Sequence, residues 1–430
     1  MFQNIASARA YLNERNTSVF GLDAITNLLS ILGNPERNTR FIHITGTNGK
    51  GSTSAYLINI LIASGYNVGS FSSPQVFNLN EIIMYNYEPI SDAEFLSLAS
   101  EVHDAISVME SKGMRLPTCF EMETAMAFLF FKRKNVDVAV VEVGMGGELD
   151  STNVIENTLM EIITHISYDH VGVLGNTLEE IATNKTGIIK NNSIVVTTSQ
   201  YPQVMDVIIS KCNNMNAELV KVDDGIAITS DASEQVIAYR GREYVTKMLG
   251  YYQIYNTPLA IEGARCLKNK GFERISEATI SKGIEQTCLS GRFEIIGKSP
   301  VFVIDGAHND AASVMLAHSI KNYFGDKKIT YLIGIFKDKD YKKIVENTIG
   351  LADEVITFDW DNPRHLSGEE LRKIISGYMN NVHYAGSVEN AVKMAIDGKG
   401  KDDVIVAFGS LSHLAEIKNA YKGVVKNGRY

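Results

Sequence analysis

The sequence predicts an α/β protein built from two doubly wound domains, each a mostly parallel sheet covered by helices. Three observations predict it. Short apolar, β-branched runs such as Val136–Val143 and Val404–Phe408 lack in–out alternation, as strands buried on both faces do. Helical patterns separate these runs almost throughout, the order that gives crossover connections. At 430 residues the chain is also too long for one ordinary core.

Taken in order, Phe41–Ile44 reads as a buried strand, a glycine-rich turn follows, and Ser52 and Thr53 open a helix. A short strand is expected at Tyr66–Phe71, then a loop at Ser72–Gln75 and a small hairpin over Glu81–Tyr87 with Glu88-Pro89. Helices are expected at Ser91–Lys112 and Cys119–Lys134, a strand at Val136–Val143 and another at Met160–Ser167. Leu178–Lys190 reads as a helix, Ile194–Thr198 as a strand and Pro202–Met215 as a helix. From about Glu218 to Leu249 the period changes: short runs broken by Asp, Ser and Gly suggest an antiparallel patch. Helical patterns return at Gln253–Lys270 and Ser276–Thr287, and Leu289-Ser290-Gly291-Arg292 reads as a linker. Beyond it come strands at Val301–Asp305, Ile329–Gly334, Glu354–Thr357 and Val404–Phe408, with helices between.

Composition narrows the class. Apolar residues at 45% and charged residues at 21% describe a soluble globular protein, and no run is long enough to cross a bilayer. A net charge of −9 argues against nucleic-acid binding. Residues 1–15 lack the uninterrupted apolar stretch of a signal peptide. Cys119, Cys212, Cys266 and Cys288 form no C-x-x-C pair, so buried structural thiols in a reducing cytoplasm are expected.

Chemistry concentrates at predicted strand ends. Gly46-Thr47-Asn48-Gly49-Lys50-Gly51-Ser52-Thr53 joins strand to helix, so backbone N–H groups, the helix N-terminus and Lys50 can cradle a phosphate. The strict G-x-x-x-x-G-K-[ST] pattern fails: two residues separate Gly46 from Gly49, and Gly51 follows Lys50. Glu142 ends an apolar strand before a glycine-rich turn, either as a metal ligand or as a cap on the turn's N–H groups. Asp169 and His170 hold the same location after the next strand; the imidazole could complete a metal shell or bond a carbonyl. Asp305 and His308 repeat the pattern in the C-terminal half, where Asp305 could accept from a ribose hydroxyl or neutralise Arg292, and Asn309 reads as a helix cap. By its local pattern Lys185 is a solvated helix lysine.

Together these residues resemble the folylpolyglutamate synthase/dihydrofolate synthase family of the Mur ligase superfamily. The likeness runs from about Gly21 to about Leu414. It is carried by Leu32-Gly33-Asn34-Pro35, the GTNGKGST loop, Ser73-Pro74, Asn80-Glu81, Glu142-Val143-Gly144, Leu149-Asp150-Ser151-Thr152-Asn153-Val154, Asp169-His170, Lys185, Gly291-Arg292-Phe293-Glu294, Asp305-Gly306-Ala307-His308-Asn309, Lys337-Asp338-Lys339-Asp340 and Gly409-Ser410-Leu411. The resemblance implies an N-terminal P-loop ATPase-like domain over 1–290 with the small antiparallel patch, and a C-terminal Rossmann-like ligase domain over 291–430. It implies ATP held by Thr47, Asn48, Gly49, Lys50, Gly51, Ser52, Thr53, Asn256, Arg292, Asp305 and His308. Ser73, Glu142 and His170 match Mg²⁺ ligands, and Lys185 matches a carbamylated lysine that supports a second metal. Lys50, His170, Lys185, Arg292 and His308 carry catalysis, with His308 the guess for a base. Gln75, Phe120 and Asp150 fall on the folate side, where Gln75 and the nearby Glu148 replace the family's usual His and Arg.

The implied reaction is ATP-dependent ligation of L-glutamate to a folate carboxylate through an acyl phosphate, with dihydropteroate as a further acceptor. A cytoplasmic monomer without nucleic-acid or membrane partners is expected. The nearest alternative is a cell-wall Mur ligase with a different acceptor; the 45 residues ahead of Gly46 are short for the UDP-binding domain such enzymes carry.

Overall fold

A computed structural model describes residues 2–16, 19, 21–230 and 233–426. They fall into two compact units: Met1–Gly225 with Tyr255–Thr287, and Ile226–Ile254 with Cys288–Tyr430.

The first unit contains strands β1 (Phe41–Thr45), β2 (Val68–Phe71), β3 (Ile83–Tyr85), β4 (Glu88–Pro89), β5 (Val138–Glu142), β6 (Thr158–Ile163), β7 (Ile194–Thr197) and β8 (Glu218–Lys221). They form one sheet in the order β4-β3-β2-β5-β1-β6-β7-β8. β3 and β4 make an antiparallel edge, and the other six strands run parallel. Every residue of β1 and β5 is buried, which explains their unbroken apolar character. The chain moves to one side of β1 to reach β2 and to the other to reach β6, so β1 marks the switch point where ligands bind in such sheets.

Two helices fix this centre. Helix Lys50–Ala63 leaves the glycine-rich turn, with residues buried on most of its circumference. Helix Glu277–Gln286 lies against it so closely that a Cβ on Gly283 would sit 2.4 Å from the Ile60 Cα. Helix Cys119–Lys134 matches its expected bounds because its ends are signalled locally. Thr118 and Glu121 form a capping box, Asn135 closes the helix in the left-handed region, and Lys132, Arg133 and Lys134 face the negative end of the dipole.

The antiparallel patch is a three-stranded sheet of β9 (Ile226–Ser230), β10 (Gln235–Tyr239) and β11 (Arg242–Thr246). The sequence reading put it in the N-terminal domain, but it packs into the second unit. Gln235 Nε2 donates to the Met248 and Gly250 carbonyls at 2.8 and 3.2 Å, while Gln235 Oε1 accepts from Tyr323 Oη at 3.2 Å. The patch also starts later than the change of period suggested, since Glu218–Lys221 is the parallel edge strand β8. Its partly exposed residues leave no apolar run to read.

The second unit's main sheet comprises β12 (Glu294–Lys298), β13 (Val301–Ile304), β14 (Ile329–Ile333), β15 (Glu354–Asp359), β16 (Val382–Ser387) and β17 (Val404–Phe408). Its order is β12-β13-β17-β14-β15-β16, parallel except for β12. The outer strands β12 and β16 lack a sequence signal for the same reason as β8: their residues are mostly half-buried or exposed. Cys119 and Cys212 are buried as expected, whereas Cys266 is half-buried and Cys288, in the connection after Gln286, is exposed. Among the described residues no helix is long and apolar enough to cross a membrane.

Candidate active site

Four neighbouring strands of the first sheet deliver chemistry at the same edge. Ser73 follows β2, Glu142 ends β5, the Gly46–Gly49 turn follows β1, and Asp169 and His170 lie beyond β6. The strand ends that the sequence picks out singly are adjacent because β2, β5, β1 and β6 are consecutive in the sheet.

The turn is a backbone cradle. Thr47 N and Asn48 N both donate to the His165 carbonyl, and Thr47 Oγ1 donates to the Ser167 carbonyl at 3.0 Å, tying the turn to the chain after β6. Gly46 and Gly49 have φ of 143° and 91°. A Cβ would lie 1.9 Å from Thr164 Oγ1 at Gly46 and 2.3 Å from Asn256 Oδ1 at Gly49, so no side chain fits either position. Asn256, on helix Gln253–Lys268, therefore abuts the loop. Gly49 caps helix Lys50–Ala63, aiming its N-terminus at this space.

A cavity at this edge is lined by Gly46, Thr47, Lys50, Val143, Gly144, Met145, Gly146, Asp169, His170 and Lys185. Lys50 Nζ curls back to the Gly46 and Thr47 carbonyls at 3.2 and 3.4 Å. Lys185 Nζ reaches the same Gly46 carbonyl at 2.9 Å. The solvated-lysine reading fails for Lys185, which is only 4% exposed. Burial and, after it, the charge of Lys50 pull its pKa down to about 7, against the opposing pull of Asp169 and Asp150. Asp169 Oδ1 accepts from His170 N at 3.0 Å, and His170 has φ 50°, turning its ring at the end of the strand. Glu142 is 5% exposed and precedes the cavity-lining Val143.

Residues 44–264 match the Mur ligase middle domain, and residues 291–411 match the Mur ligase glutamate ligase domain. A dihydrofolate synthase/folylpolyglutamate synthase of Bacillus subtilis is 32% identical over 434 residues, covering 98% of this chain and 100% of that protein. The chain belongs to the folylpolyglutamate synthase/dihydrofolate synthase family. Among solved structures, Mycobacterium tuberculosis folylpolyglutamate synthase complexed with ADP and AMPPCP aligns with TM-score 0.87 at 28% identity, covering 99% of this chain and 98% of that one. Folylpolyglutamate synthase from Thermotoga maritima aligns with TM-score 0.84 at 30% identity over 97% of this chain and 96% of its own.

The remaining residues that the family resemblance singled out divide between two settings. Phe120 lies over the glycine turn, where a Cβ on Gly144 would sit 2.5 Å from its ring. Gln75 is half-buried in the loop after β2. Asp150 is turned inward: Oδ2 accepts from Met145 N at 2.9 Å and Oδ1 from Thr152 N at 3.0 Å.

Arg292, Asp305 and His308 gather in the second unit of this family member. Asp305 is buried, and its oxygens accept from Tyr252 Oη, Phe293 N and Ala307 N, each at 2.8 Å. Burial pushes its carboxyl pKa up, opposed by the Tyr252 bond and the Arg292 charge. Gly306 leaves room for the guanidinium, since a Cβ there would lie 2.6 Å from Arg292 Nη1. His308 Nδ1 lies 2.7 Å from the Gly306 carbonyl, which puts the proton of a neutral ring on Nδ1 and the lone pair on Nε2. Asn309 is a helix cap, as expected, with Oδ1 accepting from Ala312 N at 2.9 Å. Tyr252 and Thr164 escape sequence reasoning: neither stands in a motif, and only the folded chain sets them against Asp305 and Gly46.

Proposed function

We propose that this chain is an ATP-dependent ligase that adds L-glutamate to the carboxylate of a folate, and that it also accepts dihydropteroate. The observation that carries this reading is the convergence of Lys50 and the buried Lys185 on the Gly46 carbonyl, in a cavity shared with Asp169 and His170. The Lys50 ammonium beside a backbone cradle suits a triphosphate, a carboxylate needs such help to approach one, and Lys185 reaches the same loop carbonyl from the other side of the cavity.

In the proposed reaction a substrate carboxylate oxygen bonds to the γ-phosphorus while the bond to the β–γ bridging oxygen breaks, releasing ADP. The amine of glutamate then attacks the acyl carbon, gives up a proton and expels phosphate, leaving an amide. Lys50 and the N-terminus of helix Lys50–Ala63 offset the charge gathering on the transferred group. Arg292 is a second cation for that role, and His308 Nε2 is the lone pair suited to take the amine's proton. Asn256 and the 47–53 segment hold the nucleotide in this reading, with Arg292 and His308 as further nucleotide-binding residues. The bonds that occupy Asp305 suit a support for Arg292 more than a direct nucleotide contact. Gln75 and Phe120 face the folate in this reading, while Asp150 shapes the turn beneath it.

The donor set fits Mg²⁺. Ser73, Glu142 and His170 offer hydroxyl, carboxylate and imidazole beyond the ends of β2, β5 and β6, on one edge of the sheet. Mg²⁺ takes oxygen ligands and keeps several waters, so two or three protein donors and the phosphate oxygens suffice for it. When bound, Mg²⁺ supplies charge neutralisation on the phosphates. Lys185 is suited to carbamylation, because its lowered pKa leaves much of the amine neutral and able to add CO₂, releasing one proton. The carbamate would give a second cation its carboxylate. A cytoplasmic monomer that binds neither nucleic acid nor membrane completes the reading, in keeping with the net charge of −9.

Phosphate release with MgATP and glutamate tests the reading against three acceptors. Tetrahydrofolate and dihydropteroate are expected to support turnover, and a UDP-muramyl acceptor is not; the reverse order would make the chain a cell-wall-type ligase. A second check addresses the cradle. Gly49→Ala forces a Cβ into Asn256 at a left-handed φ, a conformational cost of about 1–2 kcal/mol before any clash. Calorimetry with a non-hydrolysable ATP analogue is expected to show affinity reduced by about tenfold or more.

A further inference from the structure

Beneath the glycine turn runs a buried chain of hydrogen bonds that the proposed chemistry does not use. His43 and Thr45 share one face of β1, two residues apart, and the phosphate loop begins at the next residue. Thr45 Oγ1 donates to the Gly146 carbonyl at 2.8 Å. His43 Nε2 lies 2.8 Å from Thr152 Oγ1, and that hydroxyl makes a short contact with Asp150 Oδ1. Asp150 Oδ2 accepts from Met145 N at 2.9 Å.

The single hydroxyl proton fixes the direction of the chain. Thr152 must donate to the Asp150 carboxylate, so it accepts from His43, whose proton lies on Nε2. His43 Nδ1, buried and without a hydrogen-bond partner, is then a lone pair rather than a stranded donor. Full burial and the Lys190 charge pull the His43 pKa down to about 3, so the ring stays neutral. From the other side, Asn153 Nδ2 donates to the Glu148 carbonyl at 2.9 Å, and Lys190 Nζ bonds Asn153 Oδ1 at 2.8 Å.

We propose that His43 and Thr152 are positioning residues: acting through Asp150, they hold the Met145 amide, and with it the Val143–Gly146 wall of the cavity, at a fixed distance from the phosphate loop. Both the loop and the brace hang from β1, so the strand sets the spacing between the cradle and the turn that follows Glu142. The effect on turnover rests on the ligase reading above; the bracing itself does not.

Thr152→Val keeps the shape and removes the hydroxyl; Thr152→Ser restores it. We expect Thr152→Val to lower kcat about 10- to 100-fold with the KM for the folate acceptor within about twofold. Thr152→Ser recovers most of the loss. Hydrogen–deuterium exchange of the peptide containing Met145 is expected to speed up in Thr152→Val and return in Thr152→Ser. Should Thr152→Val not fold, His43→Leu against the donor-bearing His43→Gln makes the same comparison. The proposal is overturned by a kcat within about twofold of the parent in the variants lacking the donor. A loss that the conservative variant does not recover, or unchanged Met145 exchange, overturns it equally. Exchange needs no turnover, so if the chain fails to ligate glutamate, the brace is still decided.

Discussion

Lys50→Ala abolishes phosphate release in the presence of ATP, glutamate and a folate acceptor. The expected loss is about 10³-fold or more, roughly 4 kcal/mol of transition-state stabilisation. The physical reason is the setting of the ammonium. It folds over the Gly46 and Thr47 carbonyls, at the N-terminus of a helix whose first turn carries no acidic residue. Nothing in that turn competes with phosphate for the charge. The side chain is only part-buried and its bonds are to carbonyls at 3.2 and 3.4 Å, so its removal costs the fold little. A thermal midpoint close to the parent's, with turnover lost, is the full expectation. Near-normal phosphate release would remove Lys50 from the chemistry and return the loop to a plain strand–helix turn.

Lys185→Ala is expected to lose most activity, about 100-fold, and to regain part of it in formate or acetate. The two halves of that result separate two roles. As an ammonium, Lys185 only bonds the Gly46 carbonyl, and an added carboxylate cannot replace a donor. As a carbamate it presents oxygens, and a short carboxylate diffusing into the space left by the side chain can mimic them. Rescue by anions therefore points to the carbamate, and an unimpaired variant shows that it is not required. Loss without rescue leaves the lysine as a brace for the loop.

Much of the fold was legible because burial writes itself into composition. β1, β5 and β17 are buried at every position and read as unbroken apolar runs. Edge strands write nothing comparable: Glu218–Lys221 and Val382–Ser387 carry mixed residues because one side meets solvent. The site followed the same rule. Glu142 and His170 could be picked out because an ionisable group at the end of an apolar strand is conspicuous. Lys185 could not, since a helix reading Thr183-Asn184-Lys185-Thr186 looks solvated until tertiary packing closes over it. Family resemblance raised it where periodicity was silent, and the folded chain buries it. Asp305 shows the converse. Its strand-end location suggested a ribose contact or a partner for Arg292, and nothing in the sequence showed that Tyr252, remote and unmarked by any pattern, takes up one of its oxygens.

The contact between Ile60 and Gly283 has a consequence for synthesis. The helix that carries Lys50 near the start of the chain rests on one made more than two hundred residues later, after the three-stranded sheet of the other unit. Translation proceeds from the N-terminus, so the nascent sheet around β1 must wait, with that helix face uncovered, until residues 277–286 emerge. The chain also passes between units at 225/226, 254/255 and 287/288. A single proteolytic nick or gene truncation therefore cannot separate the two units: a fragment ending near 290 holds all of the first unit but also retains β9–β11 while losing Tyr323, which bonds them to their own unit.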